Sequence, residues 1–284
     1  ALAATTEPSA LHEVTGHRRQ HAHMDFQRLN FRGPRGWIDA LGLAALALSG
    51  CLGFYGRVLA GRARFDLPAF AAALQQSGLS ILPAITLVMA AIGLILGHQV
   101  EGILTQFDLP VVVILTVALV IIIEVLPVLV GILVAGRAGV ALAVRQASLL
   151  ATGEMDGLLV CGVRPIPFTL APVLLAMLLM SFAFMVWGTL VTFGVAGAWL
   201  WASTGVAPAL FLEMLTSALT PAALVEALIK PLLFAVLIAL IATLNGIGAG
   251  RRAGGIAGAA TGTMIGAVTA ILVTDLLYIV LARV

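Results

Sequence analysis

Charged residues are scarce in this chain of 284 residues, because only 10% are Asp, Glu, Lys or Arg, against roughly a quarter in soluble domains. Hydrophobic residues make up 61%. This composition excludes a soluble enzyme and indicates a protein that lies in a membrane. The net charge of +2 argues against a nucleic-acid-binding surface.

Cysteine is equally scarce, and the two thiols, Cys51 and Cys161, form neither a disulfide framework nor a CxxC motif. We interpret both as buried small apolar side chains. The histidines of the first 36 residues have no Cys or paired carboxylate at ligand spacing, so we predict no metal site.

Motifs of catalysis and nucleotide binding are missing too. The sequence has no GxxxxGK[ST], HExxH or GxSxG, which are the signatures of phosphate-binding loops, zinc proteases and serine hydrolases. We therefore predict that the chain has no catalytic residues and no cofactor, and that any ATP, Mg²⁺ and ATP hydrolysis belong to a separate chain.

Long apolar runs predict the architecture, because about 20 apolar residues span a hydrocarbon core. Residues 1–36 form a polar, basic arm, and residues 37–284 form one all-α, polytopic membrane domain. A helix over 37–61 is ambiguous by length. The predicted spans cover about 79–107, 109–136, 165–195, 229–248 and 253–280, and turns are expected around Gly194, Gly197 and Pro208.

Basic residues assign the topology, since loops rich in Lys and Arg stay in the cytoplasm. If helix 37–61 lies in the interface rather than crossing, every Lys and Arg except Lys230 and Arg283 falls on one side. We therefore predict five spans with a cytoplasmic N-terminus. The loop between the second and third spans contains a predicted surface helix suited to docking a soluble partner.

Two further patterns indicate contacts inside the membrane. Glu124 lies within the second span, three residues before Pro127, and an ionisable residue at that depth is either functional or paired with another helix. The glycines at 254, 258, 262 and 266 share one face of the last span, a pattern typical of close helix packing within the chain or between subunits.

Three segments then resemble a known family: LVAGRAGVAL over 133–142, GEMDGLLVCGVRP over 153–165, and IKPLLFAVLIALIATLNG over 229–246. Their order and spacing are similar to those of the MlaE/YrbE permeases, the membrane subunits of MCE-type ABC transporters that move phospholipids or other lipids. The resemblance covers about residues 37–282 and implies an interfacial helix, five spans and a coupling helix over about 148–163.

The resemblance also implies partners and a location. It implies a second permease subunit, with a homodimer favoured over a heterodimer, a cytoplasmic ABC ATPase, an MCE-domain protein, a small STAS-type accessory protein and a bound phospholipid. The membrane is the bacterial inner membrane. Two other interpretations remain, a proton-coupled secondary carrier that uses Glu124 and a structural membrane anchor.

Site residues follow from the same resemblance. The implied lipid cavity is lined by Leu96, Gln99, Leu104, Phe107 and Glu124. The implied ATPase contacts are Glu154, Asp156, Leu158, Leu159 and Arg164. Motif positions are Pro127, Gly136, Arg137, Asn245 and Gly246, and the packing glycines are Gly254, Gly258, Gly262 and Gly266.

Several positions depart from the family pattern. Ile123 stands where the family has Arg, Arg145 where it has an acidic residue, Gly153 replaces a motif Glu, and Arg164 replaces Asp. Without the neighbouring arginine, Glu124 loses that adjacent charge, and we expect this loss to favour its protonated form.

Overall fold

The computed structural model describes residues 36–62, 67–106, 120–218, 220–250 and 254–282. These residues form helices joined by short connections, and no strand occurs among them. The predicted all-α class is therefore confirmed. The arm predicted over 1–36 lies outside the described residues, apart from its last position.

The chain forms ten α-helices within these ranges, some of which continue directly into single π-helical turns. The helices are α1 Gly36–Leu59, α2 Leu67–Leu74, α3 Leu82–Gln106, α4 Leu126–Val134, α5 Val140–Ala151, α6 Glu154–Val160, α7 Pro165–Thr204, α8 Pro208–Ala218, α9 Pro221–Gly248 and α10 Gly255–Ala282. The π turns are π1 Gln75–Leu79, π2 Ile121–Val125 and π3 Ala135–Gly139.

Six helical segments of the described residues are long and apolar enough to cross a membrane, which confirms a polytopic membrane protein. Five overlap the predicted spans, with different ends, and the sixth is Ala40–Leu59 within α1. By length and composition α1 could also cross, so its interfacial placement stays a prediction that depends on the charge distribution.

Helix α1 contacts the rest of the protein through one face at four-residue spacing, formed by the buried side chains of Leu43, Ala47 and Cys51. The Tyr55 hydroxyl donates a hydrogen bond to the carbonyl of Ala171 in α7 at 2.6 Å. Exposed leucines cover the opposite side. A face this apolar suits contact with lipid.

The third predicted span, 165–195, is too short. Helix α7 runs from Pro165 to Thr204, about 60 Å at 1.5 Å per residue, which is twice the hydrocarbon thickness. The turns expected near Gly194 and Gly197 do not form. A cap at Gly205, whose φ of 72° suits glycine, ends the helix instead.

Gly197 has a packing role within α7. A Cβ there would lie 2.9 Å from Cδ1 of Phe211 in α8, so the missing side chain lets α8 fold back against the end of α7.

The predicted coupling helix over 148–163 is not one helix. Helix α5 ends at Ala151, and α6 spans only Glu154–Val160. Gly153 between them has a φ of 81°, a left-handed conformation that interrupts an α-helix. The segment is therefore the end of the second span followed by a separate seven-residue helix.

The fourth span begins earlier than predicted, because Thr220 caps α9 by accepting a hydrogen bond from the amide of Ala223 at 3.2 Å and Pro221 suits the first turn. Pro231 does not end the helix, which continues to Gly248.

Helices α3 and α7 pack with their backbones in close contact. A Cβ on Gly93 would overlap the carbonyl oxygen of Thr192, and one on Gly97 would lie 2.9 Å from Cβ of Trp199. The Thr192 hydroxyl donates to the carbonyl of Met89 at 3.2 Å. Small residues permit such close approach in membranes, where tight packing replaces the hydrophobic effect.

Candidate functional site

One buried lysine gathers three carboxylates where the second span, α9 and α10 meet. Lys230 is only 3% exposed, and its Nζ lies 2.6 Å from Oε2 of Glu124, 3.3 Å from Oδ1 of Asp275 and 3.7 Å from Oε1 of Glu226. We call these four residues the Lys230 cluster.

Each member of the Lys230 cluster is placed by its helix. Glu124 lies in π2, which is followed by the buried Pro127, and π turns inserted in α-helices often mark functional sites. Glu226 precedes Lys230 by one turn of α9. Asp275 and Tyr278 lie one turn apart on α10, and the Lys230 ammonium sits 4.7 Å from the centre of the Tyr278 ring.

The depth of the cluster follows from helix geometry. Lys230 lies nine residues, about 14 Å, after the start of α9, and Asp275 lies seven residues, about 10 Å, before the end of α10. A hydrocarbon core is about 30 Å thick. The cluster is therefore inside the membrane, in the half away from the connection between α9 and α10.

Burial makes the pairing of these charges important. A lone ammonium at this depth costs several kcal/mol, and removing one partner of a buried pair typically costs about 3–5 kcal/mol. Glu124 and Glu226 keep 27% and 29% of their side chains exposed. One side of the cluster is thus open, while the lysine itself is enclosed.

Glu124 is paired with another helix, one of the two alternatives that its position in the second span left open. Ile123 provides no charge, but Lys230 supplies the cation from α9, 106 positions away. The charge distribution placed Lys230 opposite the basic loops, at the start of the predicted span 229–248, whereas the structure buries it inside a longer helix. A signal was present in the sequence, because Glu226 and Lys230 are four residues apart in an apolar run.

The other residues assigned to the lipid cavity are dispersed. Leu96 is buried in the core, whereas Gln99 is exposed on α3. The side chain of Leu104 and the whole of Phe107 lie outside the described residues. Of the five, only Glu124 belongs to the Lys230 cluster, and the joint cavity stays a prediction.

Residues on either side of Gln99, near the C-terminal end of α3, make polar and aromatic contacts with α7. Trp199 Nε1 donates to Oε2 of Glu101 at 2.7 Å, and the ring of His98 meets that of Trp199 edge to face with centroids 6.0 Å apart. Tryptophan at such a position is typical of the membrane–water boundary.

The residues assigned to the ATPase contact are on or beside α6. Met155 is fully buried and anchors this helix, while Glu154 and Asp156 are exposed. Leu158 and Leu159 are half-buried rather than exposed, and the exposed apolar side chain is Val160, at 85%. Arg164 is exposed just before α7.

Cysteine placement also differs between the two thiols. Cys51 is buried as predicted, but Cys161 is exposed after α6. Leu158 and Leu159, which precede Cys161, are partly buried. The apolar residues near this thiol therefore hold a short surface helix in place and do not enclose the thiol itself.

Motif residues near the ends of the second and fourth spans have packing roles. A Cβ on Gly246 would lie 2.9 Å from the carbonyl oxygen of Ala143, so α9 and α5 approach closely there. Asn245 donates from Nδ2 to the carbonyl of Ile241 at 3.0 Å. Gly136 and Arg137 lie in π3.

The glycine face of α10 divides into two parts. A Cβ on Gly262 would lie 3.0 Å from Oδ1 of Asn245, and one on Gly266 would lie 3.2 Å from Cγ2 of Ile241, both in α9. Gly254 and Gly258 face open space within 4 Å. Part of the stripe therefore packs within the chain, and the rest leaves room for another helix.

The sequence did not predict one buried polar pair. Gln146 of α5 is completely buried, and its Nε2 donates to the hydroxyl of Thr243 in α9 at 3.4 Å. A side-chain amide in the predicted loop between the second and third spans gave no reason to expect burial. The pair joins the second and fourth spans beside Gly246.

Metal-binding groups are not evident in the described part of the chain, where no set of three or more His, Cys, Asp and Glu side chains is arranged to hold an ion. The histidines of the arm are outside this part.

The family model described as Permease MlaE matches residues 70–281, which includes every member of the Lys230 cluster, α6 and the glycine face of α10. Among curated proteins, none matches the chain.

Proposed function

The chain belongs to the MlaE permease family, and from this premise we propose that it moves phospholipids or related lipids between the inner membrane and an MCE-type lipid-binding protein of the periplasm or cell envelope. As a permease, the chain is a multi-pass membrane subunit.

The observation that supports the proposal best is the Lys230 cluster. Its lysine is enclosed while Glu124 and Glu226 remain partly exposed, so one polar surface opens inside an otherwise apolar bundle. A phospholipid presents the same combination of polar headgroup and apolar chains. Charged groups inside a membrane protein commonly mark a substrate path.

A pair of permease subunits completes the proposed transporter, with a homodimer favoured. A cytoplasmic ABC ATPase supplies ATP and Mg²⁺, and an MCE-domain protein receives or delivers the lipid. A small STAS-type protein is a further proposed partner. The N-terminus is proposed to be cytoplasmic.

Helix α6 is the proposed contact with the ATPase. Met155 fixes it to the core, and the exposed Val160 offers an apolar knob. Thr152 Oγ1 donates to Oε1 of Glu154 at 3.0 Å, which holds the carboxylate at the start of the helix. A movement of the ATPase would thus pass into the second span and α7, and the lipid would shift because the two states bind it differently.

Proton-coupled secondary transport is the second candidate, because the Lys230 cluster contains three carboxylates for one ammonium. Such a carrier would need no ATPase. The ion pair between Glu124 and Lys230 argues against it, since this carboxylate already has a fixed cation at 2.6 Å.

Mild-detergent purification from the native membrane, followed by mass spectrometry of proteins and lipids, tests the proposal. We expect an ABC ATPase, an MCE-domain protein and bound phospholipid together. Recovery of the chain with neither protein nor lipid would contradict the proposal and favour the carrier.

A further inference from the structure

Two arginines line a groove along π3 and α5, just after the predicted span 109–136. The groove has a volume of about 590 Å³. We call it the Arg137 groove. Its lining includes Arg137, Val140, Ala141, Val144 and Arg145.

The arginines of the groove carry positive charge without a paired carboxylate among the described residues. Within these ranges, neither Arg137 nor Arg145 has a carboxylate oxygen within 4 Å. Arg137 Nε donates to Oγ of Ser80, at 3.4 Å. Both arginines are exposed. Guanidinium groups in this state are available to an anion, and phosphate matches their planar donor geometry.

The groove is also apolar between its charges. Arg137 and Arg145 are eight residues apart, roughly 12 Å along the helix. Val140, Ala141 and Val144 lie between them in sequence and line the same groove. A ligand that fits would combine an anionic group with an apolar portion, as a lipid does and a free phosphate does not.

The position of the groove favours a membrane ligand. Arg137 follows Glu124 by 13 residues, about 20 Å along the helix, and therefore lies just after the predicted span 109–136, at its end away from the Lys230 cluster. The predicted topology places this end at the cytoplasmic surface. Basic residues at that boundary attract the anionic lipids of the inner leaflet.

We propose that the Arg137 groove binds the phosphate headgroup of an anionic lipid of the cytoplasmic leaflet, held by Arg137 and Arg145 with its glycerol and first methylene groups against Val140 and Val144. The site is separate from the Lys230 cluster. Its occupancy does not require transport, an ATPase or an MCE protein.

Titration of the purified full chain in neutral detergent tests this site, with native mass spectrometry as the readout. The probes are phosphatidylglycerol, phosphatidylcholine and inorganic phosphate. We expect phosphatidylglycerol to bind more tightly than either of the others. Arg145→Gln should weaken its binding about fivefold, the contribution expected of one basic residue near a membrane surface.

Matched variants keep the test specific. Arg145→Lys keeps the charge and should retain most of the affinity. Arg62→Gln removes an exposed arginine outside the groove and should leave the affinity unchanged. Arg137→Gln should weaken binding as much as Arg145→Gln does. If Arg137→Gln does not fold, Arg145→Gln alone decides the test.

Three results would overturn the assignment. An equal loss of affinity with Arg62→Gln would show general surface attraction. Inorganic phosphate binding as tightly as phosphatidylglycerol would show a free-phosphate site. Unchanged lipid binding by Arg145→Gln, with weakened recovery of an ATPase, would show a protein contact instead.

Discussion

Lys230 Nζ and Glu124 Oε2 lie 2.6 Å apart although the two residues are 106 positions apart in the chain. The contact joins the second span to the fourth at the depth of the hydrocarbon core. It also places a cation beside a carboxylate that the neighbouring sequence leaves without one. This ion pair is the basis of the first two predictions.

Replacing Lys230 with Met removes the only cation that contacts Glu124, Glu226 and Asp275 in the described structure. We expect the free energy of unfolding to fall by about 3–5 kcal/mol, because the carboxylates lose their buried partner. Thermal unfolding in detergent measures the change. The double variant Lys230→Met with Glu124→Gln should recover part of the loss, and a Lys230→Met protein as stable as the original would refute the pairing.

Replacing Glu124 with Gln separates the candidate functions. The amide can still accept a hydrogen bond from Lys230 but cannot carry a negative charge. We expect ATP-dependent lipid transfer to be reduced and not abolished. A proton carrier would lose coupling entirely, and a structural anchor would assemble and work as before. Proton flux and lipid transfer in the same vesicles distinguish these outcomes.

Gly93 lies where the backbones of α3 and α7 are in close contact. Gly93→Ala would place a Cβ against the carbonyl oxygen of Thr192, and overpacking of this kind costs about 1–3 kcal/mol. Gly194→Ala is the matched control, because that helical position has open space within 4 Å. Lower thermal stability for Gly93→Ala alone is the expected result, and equal stability of the two variants would argue against close backbone packing.

Gly153 separates α5 from α6 through its φ of 81°. Gly153→Ala should destabilise this turn by about 1 kcal/mol, because a Cβ disfavours the left-handed conformation. The expected consequence is a reoriented α6 and weaker ATPase stimulation. Gly157→Ala, at a helical position with open space around it, should have little effect. Equal ATPase stimulation by both variants would show that the turn does not control the contact.

Substitution of Val160 tests directly whether α6 contacts the ATPase. Its side chain is 85% exposed, so Val160→Asp should leave the fold stable while weakening association with the ATPase. Asp156→Asn changes another exposed position of α6 and shows whether loss of charge has the same effect. ATPase recovery after affinity purification is the measurement, and full recovery with Val160→Asp would place the contact elsewhere.

Much of the fold was predictable because apolar length and local charge determine it. The all-α class and the approximate places of the five predicted spans follow from local sequence. The length of α7 did not, since Gly194 and Gly197 suggested turns. Inside a membrane, however, glycine is tolerated within helices where a neighbour packs closely, as Phe211 does against Gly197.

The site was harder to predict because its members are distant in sequence. Glu124 was identified from its cost in a membrane, but the sequence left either Lys230 or Arg283 as a possible partner of Asp275 and could not choose between them. The burial of Gln146 depends similarly on the approach of Gly246 to α5. Local patterns identify such residues as unusual, and only the packing of the helices determines which of them meet.

Lipid transfer by reconstituted vesicles tests the central claim most directly. The permease is incorporated with its co-purifying ATPase, an MCE-domain protein is added outside, and movement of fluorescent phospholipid is followed with and without ATP. We expect transfer that requires ATP and is reduced by Glu124→Gln. Transfer that is independent of ATP and follows an imposed proton gradient would contradict the account and support the carrier.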